Sequence, residues 1–275
     1  MKIIDTHQHF WKYDPFVYDW ITEDMSVIRK DFLPIDLAEV LKAEKIETCI
    51  SVQANQTEAE TEWLVKMADE NDFIAGVVGW VDLRSNLIEE WLQYFKQYKK
   101  LKGFRHVLQG EEPSFMLLES FLHGISKLNE YGYTYDILIF PHHLEAALQL
   151  VKKFPDQRFI IDHIAKPSIK DGKIDEWKAD MKTISKQQNV YCKLSGMVTE
   201  ADWKNWSKEN LTPYIDTVVN CFGTDRIMFG SDWPVCLVAS SYEKWLNVIK
   251  EYFASYTMEE QEKVFSKNAI RFYNL

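Results

Sequence analysis

Cysteine is scarce and unpatterned in this chain. Its four residues, Cys49, Cys192, Cys221 and Cys236, form no Cys-x-x-Cys pair, which argues against a zinc knuckle or a thioredoxin-like motif. Cys49 and Cys192 lie inside apolar runs and read as small packed hydrophobes. Glycine is also sparse, at 10 residues. No Gly-x-Gly-x-x-Gly turn follows the first apolar run, so the fingerprint of an open, doubly wound dinucleotide-binding sheet is missing. No apolar run reaches the roughly 18 residues of a membrane span, and no membrane partner is expected. The opening residues show no basic leader ahead of a long apolar stretch, so no secretory signal is expected. The default expectation is a soluble, cytoplasmic protein. Lysine and arginine total 32 against 42 acidic residues, a net charge of −10. That balance argues against nucleic acid or an anionic membrane surface as the main partner. A small anionic substrate stays compatible with it, because a site can be locally basic.

What is present is core-forming material. Hydrophobic residues make up 46% and aromatic residues 14% of 275 positions, far from the composition of a disordered chain. Short apolar runs alternate with amphipathic segments along the whole length. Strands are expected near 2–6, 48–53, 74–81, 103–108, 135–140, 158–163, 190–195 and 226–232. Helices are expected near 37–44, 57–71, 87–98, 115–131, 144–154, 174–188, 211–222, 242–253 and 258–265. Asp36 is placed to cap the first of these, and Gly132 to end the fourth. Such alternation means a parallel sheet. Eight units in this length match a closed (β/α)8 TIM barrel as a single domain over 1–275. The sequence leaves a homo-oligomer open.

In a barrel of this type, chemistry sits where strands end at their C-terminal face. The first strand ends His7-Gln8-His9. With a side-chain period of two, both imidazoles share one face. They can share one metal ion, act as a polarising pair, or be incidental. Later strands end on Gln53 and Asn55, on Trp80 and Asp82, on Arg105 and His106, and near His142 and His143. The last three end on Asp162-His163 with Lys166 beyond, on Lys193 and Ser195, and on Ser231-Asp232-Trp233. Charged groups at the ends of buried strands are costly unless paired or used. His163 and Asp232 recurring on one face with His7 and His9 therefore mark a candidate site.

The segments Asp5-Thr6-His7-Gln8-His9-Phe10-Trp11, Gly79-Trp80-Val81-Asp82, Gly103-Phe104-Arg105-His106, Asp162-His163-Ile164-Ala165-Lys166-Pro167 and Gly230-Ser231-Asp232-Trp233-Pro234 resemble the amidohydrolase superfamily. Within it they are similar to the amidohydrolase-related branch, with sugar lactonases of the L-fuconolactonase and L-rhamnonolactonase type. The likeness runs from about residue 2 to 275. It implies that His7, His9, His163 and Asp232 are the candidate metal ligands, and that Asp232 handles the proton. The metal-bridging lysine of binuclear members has no match on the fourth strand, where Arg105 and His106 stand. The fifth strand carries no histidine within it. One divalent ion, zinc for preference, or metal-free catalysis is therefore expected in place of a binuclear centre.

The expected reaction is hydrolysis of a sugar-acid lactone, a small-molecule substrate, to the free acid. Asp232, His163 and Arg105 are the catalytic candidates: a base for water, and donors for the developing oxyanion. Trp11, Trp80, His106, Lys166 and Trp233 are the substrate-binding candidates. Trp11, Tyr13, Tyr18 and Trp20 lie in one long loop and can wall a sugar ring or simply pack loop onto barrel. Ser195 and Ser231 lie outside any Gly-x-Ser-x-Gly elbow and are set aside as nucleophiles. The rival readings are a metal-dependent decarboxylase or C–C hydrolase of the same superfamily, and a non-enzymatic sugar-acid binder.

Overall fold

The computed structural model describes residues 1–275. Eight strands alternate with helices as the apolar runs require. In chain order they are β1 (Ile4–Gln8), α1 (Pro34–Glu44), β2 (Thr48–Val52), α2 (Glu58–Glu70), β3 (Ile74–Gly79), α3 (Ile88–Phe95), β4 (Leu101–His106) and α4 (Glu119–Tyr131). Then follow β5 (Thr134–Ile137), α5 (Leu144–Lys153), β6 (Phe159–Ile161), α6 (Asp175–Ile184), β7 (Val190–Leu194), α7 (Lys208–Phe222), β8 (Ile227–Phe229) and α8 (Tyr242–Phe253). Two short helices, α9 (Met258–Glu262) and α10 (Asn268–Tyr273), flank a π-helical turn and close the chain.

The strands form one parallel sheet in the order β1 to β8. Beyond β8 the chain meets β1 again: Asp232 N–H donates to the His7 carbonyl and His9 N–H to the Trp233 carbonyl, each at 2.7 Å. The Thr6 hydroxyl donates to the Phe229 carbonyl at 2.6 Å. This seam brings the two ends of the sequence together at the barrel's C-terminal face and completes the expected TIM barrel.

Each helix lays an apolar stripe on the sheet; α3, for example, buries Ile88, Leu92 and Phe95, one face at helical spacing. Inside the barrel, Ile4, Ile50, Val52, Val78, Ile160 and Met228 pack with Phe272 and Tyr273 of α10. The C-terminal helix therefore plugs the bottom and leaves only the top open. Gly132 ends α4 at φ 81°, as its position suggests. Asp36 does not cap α1. Pro34 takes the first helical position, and Asp36, two residues further in, accepts the Leu33 N–H at 2.8 Å. Strands β5, β6 and β8 stop two to three residues short of the expected ends, because the chain leaves the sheet as soon as it reaches the site.

Candidate active site

The site grows from the seam. His7 is fully buried at the end of β1, and His9 follows it past the strand. Their Nε2 atoms face each other at 3.2 Å. His9 Nδ1 lies 2.8 Å from the Val52 carbonyl. A carbonyl only accepts, so His9 carries its proton on Nδ1 and turns a lone pair inward from Nε2.

His163 arrives by an unusual backbone. From His163 to Lys166 four successive non-glycine residues hold φ between 47° and 60°, the left-handed region that costs roughly 1–2 kcal/mol per residue. The turn swings the imidazole inward. There Nδ1 meets the Ser195 hydroxyl at 2.9 Å, and Nε2 stands 3.8 Å from Asp232 Oδ1. Gly196 makes room: a Cβ there would lie 2.4 Å from His163 Nδ1, and its φ of 61° also calls for glycine.

Asp232, itself at φ 58°, directs Oδ1 to 3.4 Å from His9 Nε2 and 3.9 Å from His7 Nε2. One carboxylate oxygen thus faces three ring nitrogens. Burial, then the neighbouring Lys193 charge, push His7 well below the ordinary histidine range, although Asp162 opposes the shift. Burial does the same to His163. Both rings are neutral, with lone pairs to give. Burial opposes ionisation of Asp232, but His163, His9 and Lys166 together hold its carboxyl below the usual range. It is a carboxylate at neutral pH.

Beneath lies a second layer of charge. Lys193 of β7, with no exposed surface, reaches Asp136 of β5, and its Nζ is 3.0 Å from Asp162 Oδ1 and 3.2 Å from His7 Nδ1. Arg105 of β4 donates to Asp162 Oδ2 at 3.1 Å, approaches His7 Nε2 at 3.2 Å, and also binds Gln53. Its Nε has no partner in the protein.

A cavity of about 440 Å³ opens above the cluster. His9, Arg105, His163 and Asp232 form its floor, and Lys166 stands at its side. Lys166 is clamped by Glu200 at 2.8 Å. Five of the expected site residues therefore face one space, and His7 lies directly under it.

The aromatic candidates fare differently. Trp11 is fully buried; its indole donates to the Lys30 carbonyl at 2.8 Å and its ring packs on Phe32 and Trp20. Trp233 is wedged between Phe10 and Phe32. Trp80 turns sideways and donates to His106 Nδ1 at 3.2 Å, while His106 Nε2 meets Glu111. None of these four lines the cavity; all anchor loops to the barrel. Trp20 does line it, with Asn55, Gln56, Gln109, Thr199 and Glu200. The sequence marks Trp20, in the long first loop, and Asn55, at the end of the second strand, but nothing in it distinguishes Gln56, Gln109, Thr199 or Glu200 from ordinary polar surface. His143 is buried with Nε2 on the Glu111 carbonyl at 2.9 Å. Neither it nor His142 reaches the cavity.

The donor set suits one cation. Ligands about 2.0–2.1 Å from a tetrahedral zinc ion stand roughly 3.3 Å apart. The facing Nε2 and Oδ1 atoms of His7, His9 and Asp232 are separated by 3.2 to 3.9 Å and can converge on one ion, and His163 Nε2 lies 3.8 Å from Asp232 beside that group. His7 and His163 are neutral imidazoles beside a carboxylate, as such an ion requires.

Known proteins resemble the chain as a whole. A family model described as Amidohydrolase matches residues 4–275. An L-fucono-1,5-lactonase of Burkholderia multivorans is 34% identical, over 99% of this chain and 96% of that protein. An L-rhamnono-gamma-lactonase of Scheffersomyces stipitis is 27% identical, over 68% of this chain and 65% of that protein. A crystal structure of a Burkholderia multivorans amidohydrolase with bound zinc superposes with a TM-score of 0.97 at 34% identity, covering 100% of both chains.

Proposed function

The chain belongs to the amidohydrolase family, and from that premise we propose that it opens a sugar-acid lactone, an aldonolactone such as L-fuconolactone or L-rhamnonolactone, to the free acid. The observation that carries this reading is one ionised carboxylate, Asp232, ringed by three imidazoles at the floor of a cavity large enough for one sugar ring. The lactonase relatives, alike over most or all of the chain, support the same substrate class.

Asp232 takes a proton from water as its oxygen attacks the lactone carbonyl. Negative charge then grows on the carbonyl oxygen. Arg105 supplies a buried positive charge there, and the His163 ring edge is a donor at the floor. The ring C–O bond breaks as the tetrahedral centre collapses, and Asp232 returns its proton to the departing alkoxide. Lys166 and Gln109, both lining the cavity, meet the sugar hydroxyls. Trp20 offers the ring an apolar face. When a divalent ion such as zinc is held by His7, His9, His163 and Asp232, it adds Lewis-acid polarisation of the carbonyl. A lactone is an activated ester, so the donors alone also suffice chemically.

A decarboxylase or C–C hydrolase reading calls for a histidine from the fifth strand. β5 ends at Ile137 without one, and His143 is turned away to Glu111. The test is a pH-indicator assay over a panel of aldonolactones, run with and without chelator. Turnover of at least one member is expected, and activity on none would sink the lactonase reading.

A further inference from the structure

Each nitrogen of His7 faces one donor and one acceptor. At Nδ1 the donor is Lys193 Nζ at 3.2 Å and the acceptor is Asp162 Oδ1 at 3.4 Å. At Nε2 the donor is Arg105 at 3.2 Å, and the acceptor is the lone pair of His9, also at 3.2 Å. A neutral imidazole has one proton to place, so two arrangements exist: the first leaves the Arg105 N–H facing a ring N–H, the second leaves the Lys193 ammonium so. In the first, Lys193 donates to Nδ1 and Nε2–H donates to His9. This leaves Asp162 Oδ1 with no aligned hydrogen bond and only the Lys193 ammonium, 3.0 Å away, to answer its charge, although it is fully buried. In the second, Nδ1–H donates to Asp162 Oδ1 and satisfies it. The Nε2 lone pair then faces the lone pair of His9 beside the Asp232 carboxylate, an arrangement that Arg105 partly offsets and a divalent cation completes.

We propose that Lys193 and Asp162 are positioning residues that select the tautomer of His7. Lys193 favours the cation-free arrangement and Asp162 the cation-holding one. Between the two, the ring gains a proton at Nδ1 and releases one from Nε2, so its charge is unchanged. Lys193 is itself fixed by Asp136, which in turn accepts from the Tyr273 hydroxyl at 2.9 Å. The selector is therefore anchored to the helix that plugs the barrel. This inference rests on the one-cation donor set of the proposed hydrolase but uses no lactone. Its failure would leave the hydrolase reading standing, and an absence of lactone turnover would leave this one standing.

The test reads the ring directly. Full-length protein labelled with ¹⁵N-histidine is compared after chelator treatment and after zinc loading, with His7 assigned by the signal lost in His7→Gln. The chelated protein is expected to show His7 protonated on Nε2, and the zinc-loaded protein on Nδ1. Lys193→Met is expected to move chelated His7 to the Nδ1–H form and to tighten zinc binding by about tenfold or more. Asp162→Asn is expected to weaken zinc binding by about tenfold or more. The same tautomer with and without zinc overturns the proposal. So does a folded Lys193→Met variant that keeps the wild-type tautomer. If that variant fails to fold, the wild-type comparison decides alone.

Discussion

The floor and the rim of the cavity are built on different principles. Floor residues, His9, Arg105, His163 and Asp232, come from strand ends and are almost wholly buried. Their positions follow from sheet hydrogen bonds and the barrel seam. Rim residues such as Asn55, Gln109, Thr199 and Glu200 sit on loops and are held by single side chains. Glu60 accepts the Ala54 and Asn55 N–H groups, and Lys166 grips Glu200. Under the proposed function, the floor defines the reaction class, and the rim selects the substrate within it.

Substitutions can break this division. Asp232→Asn should lower kcat by about 10²–10⁴-fold, the worth of a positioned acid–base group, with KM changed less than about threefold. A full-strength kcat in this variant would refute the mechanism. On the rim, Lys166→Met should instead raise KM by roughly tenfold, the worth of a charge-assisted contact, with kcat within about threefold. If kcat falls and KM holds, Lys166 belongs to the floor.

A third test concerns the rim's anchor. Burial pushes the Glu60 carboxyl up to about 8, against the backbone donors that favour its charge. A carboxyl raised above its unfolded value gives stability that is complete below about pH 4.5 and is lost as pH rises through about 8. The Tm of wild type should therefore fall across that window further than that of Glu60→Gln, by roughly 2–4 °C for each kcal/mol lost. Parallel curves would place the pH sensitivity elsewhere. Last and smallest, His142→Ala should alter neither kinetics nor stability beyond about 0.5 kcal/mol. Its ring is exposed and off the cavity.

The floor was legible because its signal is periodic. His7 and His9 share a face by strand spacing, and Asp232 announces itself as a charge ending an apolar run. Trp11 and Trp233 misled for the complementary reason. A sequence shows that an aromatic adjoins a strand end, but which way its ring turns depends on loop packing against Phe10 and Phe32. The left-handed turn at His163–Lys166 contains no glycine or asparagine to announce it. Lys193 stood in plain view inside an apolar strand. Its partners Asp136 and Asp162 come from other strands, and only sheet register brings them together.

The seam has a consequence for how the protein comes into being. Thr6 and Phe229, which close it, are 223 positions apart, and a contact that distant is slow to form and late to be rewarded. A ribosome that has made seven strands has made all three site imidazoles and no Asp232 to join them. Chains are folded from the N-terminal end as they emerge, so His7 and His9 are made long before Asp232. Under the proposed mechanism, products truncated before Asp232 are chemically silent, and turnover marks a chain whose seam has closed.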